Sequence, residues 1–290
     1  MTEGMAGPDE VDRLLDMNAG PTVSIVIPAF NEQSTIRACV LAAIDQTDPA
    51  DEIIVVDNRS TDATRDIVRA LQREHPHVPL VLLSQDEVQG LIPTRNLGLD
   101  YASGQVLGRI DADTVLEPDW VEQVRRIFRD ETVAAATGPM IYYDMPLRRW
   151  GHRADDALRR AVHRLARDFH YIFGSNMALR AEAWRDIRPH VCRDAADEMH
   201  EDIDISIHLH ERGHRAVYRS AMVAGMSARR LDDAPRDYYS YVMRWERTYD
   251  AHGIRDAKLR APMWVFSVIY PLLKGVRWSV KRRGTTALTR

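Results

Sequence analysis

Short apolar runs alternate with amphipathic stretches along the first two thirds of the chain, and that alternation predicts an architecture. Residues 22–28 form an apolar run rich in β-branched side chains, the pattern of a strand buried on both faces. A loop over residues 29–32 follows. Ile36, Val40, Ala43 and Ile44 then recur at helical spacing, with Ser34 or Asn31 available as the cap. A second strand over residues 52–56 ends at Asp57, and residues 58–62 supply turn and cap chemistry for a helix bearing Ile67, Val68 and Leu71. A third strand is expected over 78–83, then a helix that opens near Pro93 and runs to about Tyr101. The run 106–110 reads as a central strand, and Pro118 and Asp119 open a helix that buries Trp120, Val121, Val124, Ile127 and Phe128. Residues 133–143 are expected to return to the sheet.

This order predicts an α/β fold with a mostly parallel central sheet flanked by helices. Open sheets of this kind bind ligands beyond the carboxyl ends of their strands, where Asp57, Asp111 and Asp113 fall. The loop after the first strand lacks Gly-x-Gly-x-x-Gly, which argues against a dinucleotide dehydrogenase.

Later segments are less regular. A helix is expected over 147–169, with Trp150, Leu158, Val162, Leu165 and Phe169 as its apolar positions. Arg148, Arg149, Arg153, Arg159, Arg160, Arg164 and Arg167 would form its basic face. That face is either solvated or a surface for anionic lipid or a phosphate-bearing acceptor. Residues 174–180 form a small-residue loop entering a strand, and a short helix starts at Ala181. His200, Glu201 and Asp202 precede a helix with Ile203, Ile207 and Leu209, along which His208 and His210 read as surface or packing residues. One aromatic helix is expected over 238–252. An apolar, Trp-containing segment over 262–273 has a basic flank of Lys274, Arg277, Lys281, Arg282 and Arg283. It is too short and interrupted to span a bilayer. A membrane interface, a contact with a second copy and an intramolecular lid all remain open for it.

Composition narrows the classes. A net charge of −4 over 290 residues offers no electrostatic case for nucleic acid. Cys39 and Cys192 stand far apart with no metal-ligand spacing, which fits a reducing cytoplasm rather than a disulfide framework or a zinc site. Residues 1–20 read as a mobile leader that lacks the apolar core of a signal peptide.

The chemistry concentrates at Asp111-Ala112-Asp113. Two acids one residue apart repel each other, and the pair reads either as a solvated strand end or turn or as a site neutralised by a cation. Carboxylate oxygens suit a hard ion, Mg²⁺ or Mn²⁺, completed by water and substrate phosphate.

Taken with residues 23–32, Asp57 to Asp62, Gly90, Thr94-Arg95-Asn96, Ala102-Ser103-Gly104, Gly174-Ser175-Asn176 and Glu201-Asp202, this acid pair resembles the family 2 inverting glycosyltransferases of the GT-A fold. The resemblance runs from about Val23 to Gly213. It implies a nucleoside-diphosphate sugar as donor, UDP-linked by preference, and a glycan or lipid-linked acceptor at the cytoplasmic face of a membrane. Pro28, Ala29, Asn31 and Glu32 would line the nucleotide pocket, and Asp57 would accept a hydrogen bond from the base. Arg95 would sit near base or diphosphate. Asp111, with Ala112 beside it, would touch ribose or metal, and Asp113 would bind the metal. Asp202 would be the general base. Gly174, Ser175, Asn176 and Glu201 would shape the acceptor side, with Arg244 and Trp245 in the position of a Gln-x-x-Arg-Trp motif that here carries Tyr241 in place of Gln. That exchange weakens any case for processive polymerisation. Residues 222–230 contain no His to complete a metal site, so Arg229 and Arg230 become candidates to neutralise diphosphate.

The implied organisation is a GT-A domain over 21–230, with a nucleotide half to about 115 and an acceptor half from 116. A C-terminal helical region over 231–290 would be membrane-peripheral or would pair two copies. Two other readings stay open: an inactive nucleotide-sugar-binding subunit, and a sugar-phosphate nucleotidyltransferase. The latter is disfavoured because residues 28–32 lack its Gly-rich basic loop.

Overall fold

Burial on both faces decides which apolar runs become strands. The computed structural model describes residues 20–146, 148–165, 169–194 and 198–287. Strand β1 (Val23–Ala29) is buried at every position, and β2 (Glu52–Asp57) at all but its first. With β3 (Leu80–Ser84) and β4 (Val106–Arg109) they pair in parallel as β3-β2-β1-β4, in the register Ile27↔Val55, Val55↔Leu82 and Ile25↔Gly108. Three helices link them: α1 (Ile36–Ile44), α2 (Thr64–Glu74) and α3 (Leu91–Tyr101). The short β5 (Val115–Leu116) and α4 (Trp120–Phe128) follow.

Beyond β4 the sheet changes direction once. Strand β8 (Met177–Arg180) runs antiparallel between β4 and β6 (Val133–Thr137), and β9 (Arg215–Tyr218) closes the order β3-β2-β1-β4-β8-β6-β9. The sheet is therefore mostly parallel, and strands from before and after residue 115 share it. Two apolar layers cover its faces, one with α1 and Trp120, the other with α3, Trp184 and Leu209.

The stretch 133–143 does not return to the sheet as one strand. It breaks at Gly138-Pro139, and β7 (Met140–Tyr142) joins β5 and β10 (Ala224–Met226) in a separate three-stranded sheet, order β5-β10-β7. A Cβ on Gly138 would lie 1.8 Å from the Met222 carbonyl oxygen, so only glycine allows the crossing.

Helix α5 (Arg148–Leu165) ends before Phe169 and turns differently from expectation. Trp150 is exposed, whereas Arg159 is buried, its Nε 2.6 Å from Asp155 and its guanidinium 4.0 Å from the Phe173 ring centroid. Asp155 and Asp156, one turn before Arg159 and Arg160, supply the countercharge that lets a nominally basic face pack inward. Leu147 and Arg167 lie outside the described residues, as does the leader up to residue 19, and so do the side chains of Leu165, Pro262, Phe266, Lys281, Arg282 and Arg283.

The later helices are α6 (Ala181–Ile187) and α7 (Glu201–Glu211). The single aromatic helix expected over 238–252 is two, α8 (Pro235–Val242) and α9 (Arg244–Ala251), separated at Met243. Helix α10 (Ala257–Ala287) contains the apolar segment and its basic flank in one element. A third apolar cluster, including Tyr171, Ile203, Trp245, Tyr249 and Tyr270, joins α7 to these helices. Among the described residues no helix is long and apolar enough to cross a membrane.

Gly138→Ala is expected to lower stability by about 3 kcal/mol, because the methyl group meets backbone that cannot rotate away. Denaturant unfolding of the purified variant measures it.

Candidate active site

The parallel strands deliver their acids to one end of the sheet. Asp57, the last residue of β2, is fully buried. Its Oδ2 accepts from Arg65 Nε at 2.5 Å and from the Ser60 backbone N–H at 3.2 Å, while Oδ1 has no partner. Asn31, with φ +55°, accepts the Thr61 N–H on its Oδ1 at 2.8 Å and so ties the loop after β1 to the loop after β2. Asn58 holds a third loop: its amide donates to the Gln85 and Val88 carbonyls, and its Oδ1 accepts the Gly90 N–H at 2.7 Å. Pro28 and Ala29 are the last residues of β1, in register with Val56 and Asp57.

Asp113 is buried, and its carboxyl is pushed up to about 6 by burial and by the charges of Asp111 and Glu32. Tyr143 Oη donates to its carbonyl at 3.0 Å. Its chief countercharge is Arg229, whose Nε lies 2.9 Å from Asp113 Oδ2, while its two terminal nitrogens grip Glu32 at 2.8 and 2.6 Å. Asp111 is less buried and pairs with Arg109 at 2.9 Å. A carboxylate lifted by burial and by a neighbouring acid suits a hard divalent ion, and one or two carboxylates suffice where substrate phosphate completes the coordination. Asp113 and Asp111 therefore fit such an ion.

On the other side of Arg109 stand Glu201 and Asp202. Arg109 is fully buried, and its one terminal nitrogen spans Asp111 Oδ1 at 2.9 Å and Glu201 Oε1 at 3.1 Å. Arg109 and the buried Arg95 keep Glu201 below the usual carboxylate range, whereas burial and the neighbouring Glu201 raise Asp202. Asp202 Oδ2 accepts the Gly174 N–H at 3.0 Å. Gly174 is needed here, because a Cβ would lie 1.7 Å from an Arg109 nitrogen. His200, just before α7, is buried beside Tyr241, and burial lowers it, so it stays neutral near pH 7.

The structure distributes the remaining expected residues differently. Arg95 is buried against Asn96 Oδ1, at 2.8 Å, rather than open to a diphosphate. Asn176 is a buried cross-link: its amide nitrogen donates to the Pro139 and Met222 carbonyls, and its Oδ1 accepts Trp120 Nε1 at 2.8 Å. Ser175 lies beside it, its carbonyl 3.4 Å from Thr114 Oγ1. Trp245 packs edge-on against Tyr171, and Arg244 lies near the Tyr241 ring, with Arg230 directly over that ring at 3.8 Å. Ala112 is buried in the core. Arg109 was missed by sequence reasoning; its signal was a lone charge inside the apolar run 106–110.

A seven-stranded sheet of this order with acids at its carboxyl ends is the GT-A fold of glycosyltransferases. The chain belongs to glycosyl transferase family 2, whose model matches residues 24–188; that of glycosyl transferase family group 2 matches residues 109–280. Among curated relatives, glycosyltransferase AglE of Haloferax volcanii is 37% identical over 105 residues, 36% of this chain and 34% of AglE. The putative teichuronic acid biosynthesis glycosyltransferase TuaG of Bacillus subtilis is 30% identical over 153 residues, 50% of this chain and 60% of TuaG. The matches thus span less than two thirds of either relative. Among solved structures, mannosyltransferase PcManGT of Pyrobaculum calidifontis, in complex with GDP-Man and Mn²⁺, superposes with a TM-score of 0.63 at 21% identity, covering 92% of this chain and 76% of that one. Glucosyl-3-phosphoglycerate synthase of Mycobacterium tuberculosis, with Mn²⁺, UDP and glucosyl-3-phosphoglycerate, gives 0.57 at 18%, covering 89% and 88%.

The raised Asp113 carboxyl has a stability consequence whose sign is fixed. Above pH 6 its ionised form is disfavoured in the folded chain, so the charge costs stability there in full; as pH falls from about 6 toward the ordinary value of 3.8 the cost fades progressively. Asp113→Asn is therefore expected to melt higher than the parent at pH 8 in EDTA, with the gain shrinking toward pH 5, as thermal unfolding at both pH values would measure.

Proposed function

We propose that the chain is a metal-dependent inverting glycosyltransferase. It moves one sugar from a UDP-linked donor to a hydroxyl of a glycan or lipid-linked acceptor. The observation that carries this reading is the contrast between neighbouring carboxylates. Glu201 is held ionised by buried arginines, while Asp202 is raised and anchored by a backbone N–H. A carboxylate raised in this way has the basicity to take a proton from an attacking hydroxyl. Attack from the face opposite the leaving diphosphate inverts the anomeric centre in one displacement, through an oxocarbenium-like transition state.

The donor argument rests on Asp57. With Oδ2 occupied by Arg65 and Ser60, only the buried Oδ1 is left for a ligand donor. One acceptor matches the single N3–H of uracil better than the paired N1–H and N2–H₂ of guanine, which would use both oxygens. Cytosine presents no N–H at N3. The Mn²⁺ held with nucleotide or nucleotide sugar in the two solved relatives supports a divalent ion and a nucleoside diphosphate here. Asp113 and Asp111 would hold Mg²⁺ or Mn²⁺, which supplies Lewis-acid stabilisation of the departing diphosphate. Arg229 then exchanges partners, leaving Asp113 for diphosphate oxygens while Glu32 keeps it in reach.

An open cavity of about 580 Å³ lies against β5, β7 and β10, lined by Glu117, Tyr143, Arg148, Arg149, His152 and Arg153. Its basic rim supports an acceptor with an anionic group, as a lipid phosphate would provide. Helix α10 supports the same setting, since Trp264, Val268, Leu272 and Trp278 are exposed along it, Val268 at 75%. A helix with this exposed apolar side suits the plane of a cytoplasmic membrane surface rather than a span. Residues 231–290 would then be a membrane-peripheral arm.

Calorimetric titration of UDP, GDP and CDP, with Mn²⁺ and with EDTA, tests the donor. Metal-dependent binding of UDP alone is the expected result, and no binding of any diphosphate overturns the reading. Asp202→Asn is expected to keep UDP binding while lowering turnover by at least about a hundredfold, the scale of a general base. Near-normal turnover would remove Asp202 from that role. For the arm, Trp264→Ser/Val268→Ser is expected to reduce sedimentation with anionic vesicles several-fold. Unchanged sedimentation would shift attention to the basic rim of α5.

A further inference from the structure

A second cluster of ligating side chains lies outside the donor site. We propose that Asp204, His208 and His252 bind a transition-metal ion of the zinc class, joining α9 to α7.

Their geometry is that of a small coordination set. Asp204 Oδ1 is 2.8 Å from His252 Nε2 and 3.6 Å from His208 Nε2, and one ligand atom from each of the three lies within 4.8 Å of the others. Ligands around a tetrahedral zinc stand about 3.3 Å apart, given bond lengths near 2 Å, and the two distances bracket that value. His208 follows Asp204 by one helical turn, so both face the same way, and His252 arrives from the C-terminal end of α9.

Each ligand is also held from behind. His208 Nδ1 is 3.1 Å from Glu211 Oε2; donating there, it turns the Nε2 lone pair toward Asp204. A carboxylate behind a histidine is the usual outer support of a zinc ligand. Asp204 Oδ2 accepts the Cys192 N–H at 2.8 Å, so Oδ1, 2.8 Å from His252 Nε2, is the oxygen that faces the imidazoles and would exchange that contact for an ion. One histidine, His252, already bonds this carboxylate, and the second, His208, meets the His252 ring edge-on at 5.0 Å, so both imidazoles converge on Asp204. Asp204 is 1% exposed at its side chain but the two histidines are 13% and 14% exposed, so an ion can enter and keep a water in its fourth position. Two imidazoles and one carboxylate favour zinc, copper or nickel over the hard ions expected at Asp113. The spacing of Cys39 and Cys192 gave no hint of it, because the ligands are aspartate and histidine and the third is 44 residues after the second.

The test uses the full chain in an Asp113→Ala background, which removes the donor site's competition. Metal-stripped protein is titrated with Zn²⁺ against a chromogenic chelator and, separately, with Co²⁺ while visible absorption is recorded. One equivalent of zinc and the intense bands of low-coordinate Co²⁺ are expected. His252→Gln keeps a donor for Asp204 but removes the ligand nitrogen; it is expected to melt like its parent in EDTA and to lose both signals. Glu211→Gln is expected to weaken zinc by about tenfold or more. Zinc affinity unchanged in His252→Gln, or absent from the parent, overturns the site.

Discussion

Burying a guanidinium obliges the rest of the molecule to supply its countercharges. Arg109 sits at the end of β4 with almost no exposed surface, between Asp111 from its own strand and Glu201 from the first turn of α7. A buried charge stripped of one partner costs about 3–5 kcal/mol, so α7 and β4 are held in one arrangement. Gly174 gives way to that guanidinium and offers its N–H to Asp202 in return. One cation thus touches Glu201 directly and, through the loop it crowds, fixes the N–H that Asp202 accepts.

A second arginine works by the opposite logic. Arg229 is reachable from solvent and spans Glu32 and Asp113. Where Arg109 is locked by burial, Arg229 balances Glu32 and Asp113 from a half-exposed position. Strong local charge with an exposed, exchangeable counter-ion is the electrostatic signature of a site prepared for a charged ligand.

Much of the fold was legible because strand burial leaves long apolar runs and helices leave periodic ones. The parallel strands up to Arg109 and the acids at their ends follow from local pattern alone. What was not legible depends on contacts distant in sequence. The antiparallel insertion of β8 is set by neighbours in space, and the break at Gly138 by a carbonyl at Met222. Asn176 looked like a loop residue because nothing nearby reveals Trp120, Pro139 and Met222 converging on its amide. Arg159 looked solvated because its packing against Phe173 spans a turn that sequence spacing does not describe. Among the site residues, Asp57, Asp111, Asp113 and Asp202 do lie where acids were expected, at strand ends and a helix start. Arg95, Asn176 and Trp245 are buried parts of the frame that holds them.

The Arg109 bridge also bears on where this chain can be cut. The stretch matched by the family 2 model ends at residue 188, before Glu201 begins α7. A fragment trimmed to that boundary would retain β1 to β4, β6 and β8, and with them the donor acids, yet would lack β9 and half of the countercharge for its buried guanidinium. The matched segment therefore leaves its own charges and strands incomplete, since Glu201, the Met222 carbonyl, β10 and Arg229 all lie beyond it.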